Sequence, residues 1–373
     1  MNQPSVSKMQ RLAKALLPYS TNEPLAIATE IGIRNQAILR TIVDPSIKLG
    51  MKVIGRETTA ARRRRREIDE AAQFRDPQSG SGLRVVGREP GAARRRLRKV
   101  DEAAQFGDPT DNRRGTRRPV VNWHESGHGP ALLLLNGFTA SGLIWPQSWL
   151  RRLEEHYRVI RIDNRGTGWS RCAPSPFTIA DLADDARDVL HYCGFDQATV
   201  LGVSMGGMIA QEFAIRHPGI VEKLVLVGTR PPTPAQIAPD ADAYHLLMQQ
   251  PPRGADLREF FTATWAQTVG EGFAADHPDL IAEIAEQLTR RITPRGCVLD
   301  QARAIAAWHG ANRLRRLRIH TTVVHGNRDP LMPVGNGMRL ARLIPNATYI
   351  ELPGVGHLVP HEAGDTLLRV LDA

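Results

Sequence analysis

Ser204 stands in the pentapeptide Gly202-Val203-Ser204-Met205-Gly206, between two stretches of different character. Before it, Ala198-Thr199-Val200-Leu201 is apolar and β-branched and reads as a buried strand. After it, Gly207 to Ala214 reads as a helix. Small residues around the serine let the backbone fold sharply, which pushes the hydroxyl out at the edge of a sheet. The helix that starts there turns its free N–H groups and the positive end of its dipole toward the serine. That is a setting for nucleophilic catalysis. A serine hydroxyl is a poor nucleophile at neutral pH, so it needs a base, a group that orients the base, and donors for the oxyanion.

The chain offers a candidate for each. Leu132 to Leu135 is wholly apolar and ends in Asn136-Gly137-Phe138, which reads as a buried parallel strand and a turn where a backbone N–H can face the site. Thr321 to His325 reads as another strand and runs into Gly326-Asn327-Arg328-Asp329-Pro330. Asp329 therefore falls at the C-terminal end of a strand, where parallel α/β sheets place their ligands. Thr348 to Leu352 reads as the last strand, and His357 lies on the glycine-bracketed loop behind it. The order along the chain is Ser, Asp, His.

The elements that must position these residues alternate in type. Val120–Glu125 and Val159–Asp163 read as further strands, as does Leu224–Gly228 after the elbow helix. Thr178-Ile179-Ala180-Asp181 reads as a variant capping box that opens an amphipathic helix running to about Cys193. Strands alternating with helices predict a doubly wound, mostly parallel sheet. Between about 230 and 318 the pattern changes to a proline-rich stretch followed by helices around 256–268, 278–291 and 299–311. Phe260, Phe261, Trp265 and Trp308 sit on this insertion; most are expected in its own small core, with one or two facing a pocket.

From about Pro119 to the C-terminus the chain resembles the α/β-hydrolase superfamily, in its esterase, lactonase and C–C-hydrolase branch. The motifs that carry the resemblance are Leu135-Asn136-Gly137-Phe138, Asp163-Asn164-Arg165-Gly166-Thr167-Gly168-Trp169-Ser170, the Ser204 elbow, His325-Gly326-Asn327-Arg328-Asp329, and Gly356-His357. The resemblance implies Ser204 as nucleophile, His357 as general base and then acid, and Asp329 as the residue orienting the imidazole. It also implies an oxyanion hole made by the backbone N–H groups of Met205 and Phe138, and a cap formed by the 230–318 insertion. Asn136 stands where many members have histidine; the donor is a backbone group, so the swap alters the loop's hydrogen bonds rather than removing the donor. A serine rather than an aspartate at the elbow points to acyl transfer, and away from halide or epoxide opening.

Duller readings hold for other residues. Asp163 and Arg165 are expected to form a structural loop network, and His325 to be a satisfied structural histidine. His361 is the reserve candidate for the base, and His128 has no partner pattern. Cys172, Cys193 and Cys297 show no metal or disulfide spacing, and no P-loop is present, so neither a cofactor nor a metal is expected.

Residues 1–118 are a different object. They hold 25 Lys and Arg against 13 Asp and Glu, whereas 119–373 hold 24 against 26. The basic excess of the chain thus says nothing about the catalytic part. Residues 53–77 recur as 85–109, each copy with an arginine run followed by Asp-Glu-Ala-Ala-Gln-Phe. Low apolar content and high charge favour a largely disordered basic arm. A weak contact with a polyanion or an anionic membrane face is an open alternative, as is docking onto the hydrolase. The stretch 25–49 is too polar to span a bilayer, and Leu12–Leu17 is too short for a secretory signal, so a cytoplasmic location is expected.

The expectation is a serine hydrolase that cleaves a carboxylic ester or related small acyl substrate through a Ser-His-Asp triad. Lactone, thioester or C–C hydrolysis on the same triad is the first alternative. A polyanion-binding or scaffold protein acting through the basic arm is the second.

Overall fold

In the computed structural model, residues 118–171 and 173–373 are described. The tandem repeat, the arginine runs, the stretch 25–49 and Cys172 lie outside the described residues.

Seven strands form one sheet in the order β1-β3-β2-β4-β5-β6-β7. They are β1 (Trp123–Gly127), β2 (Ala131–Leu135), β3 (Arg158–Ile162), β4 (Ala198–Val203), β5 (Val221–Val227), β6 (His320–Gly326) and β7 (Thr348–Leu352). Only β1 runs antiparallel to its neighbour; every other pair is parallel. All residues of β2 and β4 are buried, as continuous apolar strands covered on both faces must be. Alternate side chains feed two separate layers. Leu133, Leu135, Val200 and Leu224 join one core with helices α2 (Ile179–Tyr192) and α3 (Met205–Arg216). Leu132, Leu134, Leu201 and Val225 join the other with α1 (Gln147–Glu154) and the C-terminal helix Gly364–Asp372.

The capping box opening α2 forms as read: Asp181 N–H donates to Thr178 Oγ1 at 3.1 Å, and Thr178 N–H to Asp181 Oδ2 at 2.7 Å. The first strand starts later than its sequence suggests. Asn122 spends its backbone outside the ladder, its N–H on Ser170 Oγ and its carbonyl on Asp163 N–H.

Between β5 and β6 the chain forms α4 (Ala241–Met248), α5 (Leu257–Trp265), the short α6 (Phe273–Asp276), α7 (Pro278–Arg290) and α8 (Arg295–Ala306). Three of these match the expected helical stretches. Helix α4 was hidden by its weak pattern, and its one buried side chain, Ala243, shows why. Asp240 caps it by accepting from Ala243 N–H at 2.8 Å. After β6 come α9 (Gly335–Leu343), α10 (Val359–Glu362) and α11 (Gly364–Asp372).

Among the described residues no helix is long and apolar enough to cross a membrane.

Candidate active site

Strand β4 ends at Val203 and α3 begins at Met205, so Ser204 is the whole turn between them. It adopts φ 58° and ψ −121°, a left-handed conformation that costs a non-glycine residue about 1–3 kcal/mol. The surroundings over-determine it. Ser204 N–H donates to Val227 of β5 at 3.0 Å, and the Ser204 carbonyl accepts from Thr229 Oγ1 at 2.7 Å. Close backbone packing then requires the flanking glycines. A Cβ on Gly206 would lie 1.9 Å from the Leu135 carbonyl oxygen, and one on Gly202 2.3 Å from that of Gly206. The sequence signal and the structural need coincide here.

The turn after β2 lies against the elbow, since a Cβ on Gly137 would sit 3.3 Å from Ser204 Cβ. Asn136 is buried and anchors this turn in three directions. Its Nδ2 donates to the Ile162 carbonyl, its Oδ1 accepts from Trp145 Nε1 at 2.6 Å, and its own carbonyl accepts from Asn164 Nδ2 at 3.4 Å. The asparagine therefore supplies the anchoring that the turn needs. Among the described residues, the N–H groups of Met205 and Phe138 donate to no protein acceptor.

Asp329 follows β6 and His357 follows β7. His357 Nδ1 and Asp329 Oδ2 are 2.7 Å apart, and both side chains are buried. Asp329 Oδ1 accepts from the N–H groups of Leu331 and Met332 at 2.9 and 2.8 Å, which fixes the carboxylate plane. Burial alone would raise the pKa of Asp329. The charge and hydrogen bond of His357, with His325 beside it, outweigh this and hold the carboxyl below the usual carboxylate range. Burial pulls His357 the other way, downward, but Asp329 and the charge of Glu362 lift it above the ordinary imidazole value.

The other histidines separate by their partners. His325 Nε2 contacts the Met332 carbonyl at 2.9 Å and lies 3.5 Å from Asp329 Oδ2, as a structural support behind the carboxylate. His361 lies on α10 and lines the cavity beside Ser204. Burial drives its pKa down to about 4, so it is neutral near pH 7, and the carboxylate it would need belongs to His357.

Asp163 and Arg165 form the expected structural network. Arg165 makes two hydrogen bonds to Asp185, at 2.7 and 2.9 Å. Asp163 accepts from the N–H groups of Gly142 and Trp169 at 2.7 and 2.9 Å, and burial raises its pKa to about 6 against those bonds.

Glu362 was missed by sequence reasoning. Its carboxylate accepts from the N–H groups of Gly270 and Gly356 at 2.7 and 2.8 Å and from Leu358 at 3.0 Å. It thereby clips both sides of the His357 loop to the chain after α5, where the Thr268 carbonyl also accepts from His357 N–H at 2.7 Å. The only sequence signal was a carboxylate at the start of the last helical segment, which reads equally as dipole compensation.

Ser204, His357, His361, Asn136 and Phe138 line one cavity of about 520 Å³, open solvent included, with Ile144, Trp145 and Leu358 as apolar walls. The cap aromatics depart from the expected division. Phe260, Phe261 and Trp265 all line cavities, and no residue of α5 is fully buried. Trp308 instead donates from Nε1 to Glu212 of α3 at 3.0 Å, within the main domain. Among the described residues, no cluster of His, Cys, Asp and Glu could hold a metal ion.

Comparison with known proteins gives the same architecture. The chain is 30% identical over 257 residues to "Putative carbamate hydrolase RutD" of Caulobacter vibrioides, a match spanning 66% of this chain and 92% of that one. It is 31% identical over 235 residues to a poly(3-hydroxyalkanoate) depolymerase of Ectopseudomonas oleovorans, spanning 62% and 79%. The enol-lactonase of Burkholderia xenovorans LB400 has the same fold, with a TM-score of 0.57 and 23% identity over 67% of this chain and 95% of that one. The family model of the alpha/beta hydrolase fold matches residues 130–363, which contain the elbow and the strand ends just described. With its sheet order, its strained serine turn and this match in agreement, the chain belongs to the α/β-hydrolase fold family.

Proposed function

We propose that Ser204, His357 and Asp329 act as a catalytic triad, and that this hydrolase cleaves a carboxylic ester or closely related acyl bond. The observation that carries the reading is the His357–Asp329 pair at 2.7 Å, set on the wall of the cavity into which the strained Ser204 elbow opens. Asp329 keeps Nδ1 of His357 protonated, which leaves Nε2 as the acceptor. His357 takes the hydroxyl proton as Ser204 Oγ attacks the acyl carbon, and returns it to the leaving alcohol. The unengaged N–H groups of Met205 and Phe138 receive the oxyanion, an effect worth about 3–4 kcal/mol for one such donor in serine proteases. Water then attacks the acyl-enzyme by the same proton path in reverse. The names of the relatives, a carbamate hydrolase and a polyhydroxyalkanoate depolymerase, support an acyl–heteroatom bond as the target. The polyanion reading rests on residues 1–118 and gains no support from the described residues.

The test is hydrolysis of p-nitrophenyl acetate and butyrate and of a γ-lactone by the intact chain and by Ser204→Ala, with fluorophosphonate labelling of both. Turnover and labelling that fall by about 10⁴-fold or more in the variant are the expected outcome. A variant that keeps either one rules out Ser204 as the nucleophile. Labelling with lactone turnover and no ester turnover moves the substrate class to lactones.

A further inference from the structure

A second cavity adjoins the first under the cap. Its space, open solvent included, is about 690 Å³, and it shares Phe138, Leu247, Trp265 and Leu331 with the cavity over Ser204. Its walls are mostly apolar, with Gln249, Gln250 and several threonines among its neutral polar groups and Arg291 as its cation. The other ionisable groups lining the pair of cavities are the two histidines, His357 and His361.

Arg291 is the C-cap residue just after α7. Its guanidinium carbon lies 4.6 Å from the centroid of the Trp169 ring. Trp169 is itself held by its backbone N–H on Asp163. A guanidinium held over an indole keeps its five N–H donors available for recognition at its edge. Among the described residues, the Arg291 side chain makes no hydrogen bond or ion pair. Nearby arginines are engaged: Arg165 on Asp185, Arg171 on the Ile292 carbonyl, and Arg230 on the carbonyls of Pro231 and Ile305. Asp163 attracts Arg291 electrostatically, but both of its oxygens already accept backbone N–H groups. Helix-dipole compensation explains a cation near this helix end, and Arg290 in the last turn already supplies one. It does not explain a guanidinium laid over an indole on the wall of an apolar cavity.

We propose that Arg291 is the anion-recognising subsite of this hydrolase, and that its substrate is an ester or lactone carrying a carboxylate remote from the scissile bond. The carboxylate would take the open edge of the guanidinium in a two-point hydrogen bond, with Gln249 or Gln250 as neutral neighbours. The inference rests on the acyl-hydrolase reading for its chemistry, but the anion site can be measured without turnover.

The experiment compares the intact chain with Arg291→Gln and Arg291→Lys on three esters: neutral p-nitrophenyl butyrate, mono-p-nitrophenyl glutarate with the anion on the acyl side, and the butyrate ester of 4-hydroxybenzoate with the anion on the leaving side. The expected result is that the kcat/KM ratio of one anionic ester to the neutral one falls by about tenfold or more in Arg291→Gln, through KM, and is partly restored in Arg291→Lys. Which anionic ester responds tells which half of the substrate occupies the cap cavity. A ratio unchanged in both variants overturns the proposal, even if all three esters are hydrolysed. In parallel, calorimetric titration of glutarate and of 4-hydroxybenzoate into Ser204→Ala and into Ser204→Ala with Arg291→Gln reads the subsite directly. Binding of one carboxylate that weakens by about tenfold with Arg291→Gln supports it even if no ester is turned over. Equal binding in both proteins, or no binding in either, overturns it.

Discussion

At the sheet edge that carries Ser204, the fit is made by backbone atoms, whereas the cap wall facing it is made by side chains. Gly206 packs so closely that a methyl group would meet the Leu135 carbonyl oxygen at 1.9 Å. Asp329 and Glu362 are likewise held by main-chain N–H groups. The cap side is different. Phe260, Phe261, Leu288 and Arg291 reach the cavity from helices or helix ends, and no residue of α5 is fully buried. Backbone contacts tolerate almost no substitution, because nothing can move aside without shifting a strand. Side-chain walls can exchange residues while the helix beneath them stays. A fold built this way keeps one chemistry and varies its substrate.

Four substitutions can break or sharpen this contrast. The largest effect belongs to Asp329→Asn, which keeps the volume but inverts the hydrogen-bond sense toward His357. A fall of about 10⁴-fold in kcat is expected, as for the same change in a serine protease triad. An Asp329→Asn enzyme within tenfold of the parent would remove Asp329 from the proposed triad. Next is Gly206→Ala, where the added methyl meets backbone rather than a flexible side chain. It should destabilise the fold by about 3 kcal/mol in urea unfolding. An unchanged midpoint would show that the elbow is more plastic than its geometry suggests.

Glu362→Gln tests the electrostatic link across the His357 loop. Burial lowers the pKa of His357, but Asp329, and to a lesser extent Glu362, raise it, and the proposed base works only as neutral imidazole. The acid limb of kcat/KM should lie above pH 6.5 in the parent, because the folded pKa is raised. Removing the charge lowers that pKa, so the limb should move to lower pH. A limb that stays put, measured from pH 5 to 9, would reduce Glu362 to a clip. The smallest effect is expected from Phe261→Leu on the cap wall. Stability should change by less than about 1 kcal/mol. The ratio of kcat/KM for long and short acyl esters should shift by less than about tenfold. A stability loss as large as that of Gly206→Ala would erase the distinction between the two sides.

What the sequence determined by itself is the local syntax of the fold. An apolar run, a glycine-bracketed turn and a helix identify β4, the elbow and α3 without any knowledge of their neighbours, because period and turn chemistry act within a few residues. The same logic placed Asp329 and His357 just after β6 and β7. It also read Asp163 with Arg165, and His325, as structural. It placed the start of β1 too early and missed α4, where the deciding contacts come from Ser170 and Asp163 or from a single buried alanine.

Only the tertiary structure decided which histidine meets Asp329, and that His361 faces the cavity without a carboxylate. It alone joined Asn136 to Trp145 and Ile162, clipped Glu362 to Gly270, and laid Arg291 over Trp169. Most of these pairs link residues far apart in the chain. Whether two such side chains touch depends on sheet register and on how helices settle against one another, and no local pattern encodes that. The sequence thus marks the candidate site, and the packing chooses the partners around it.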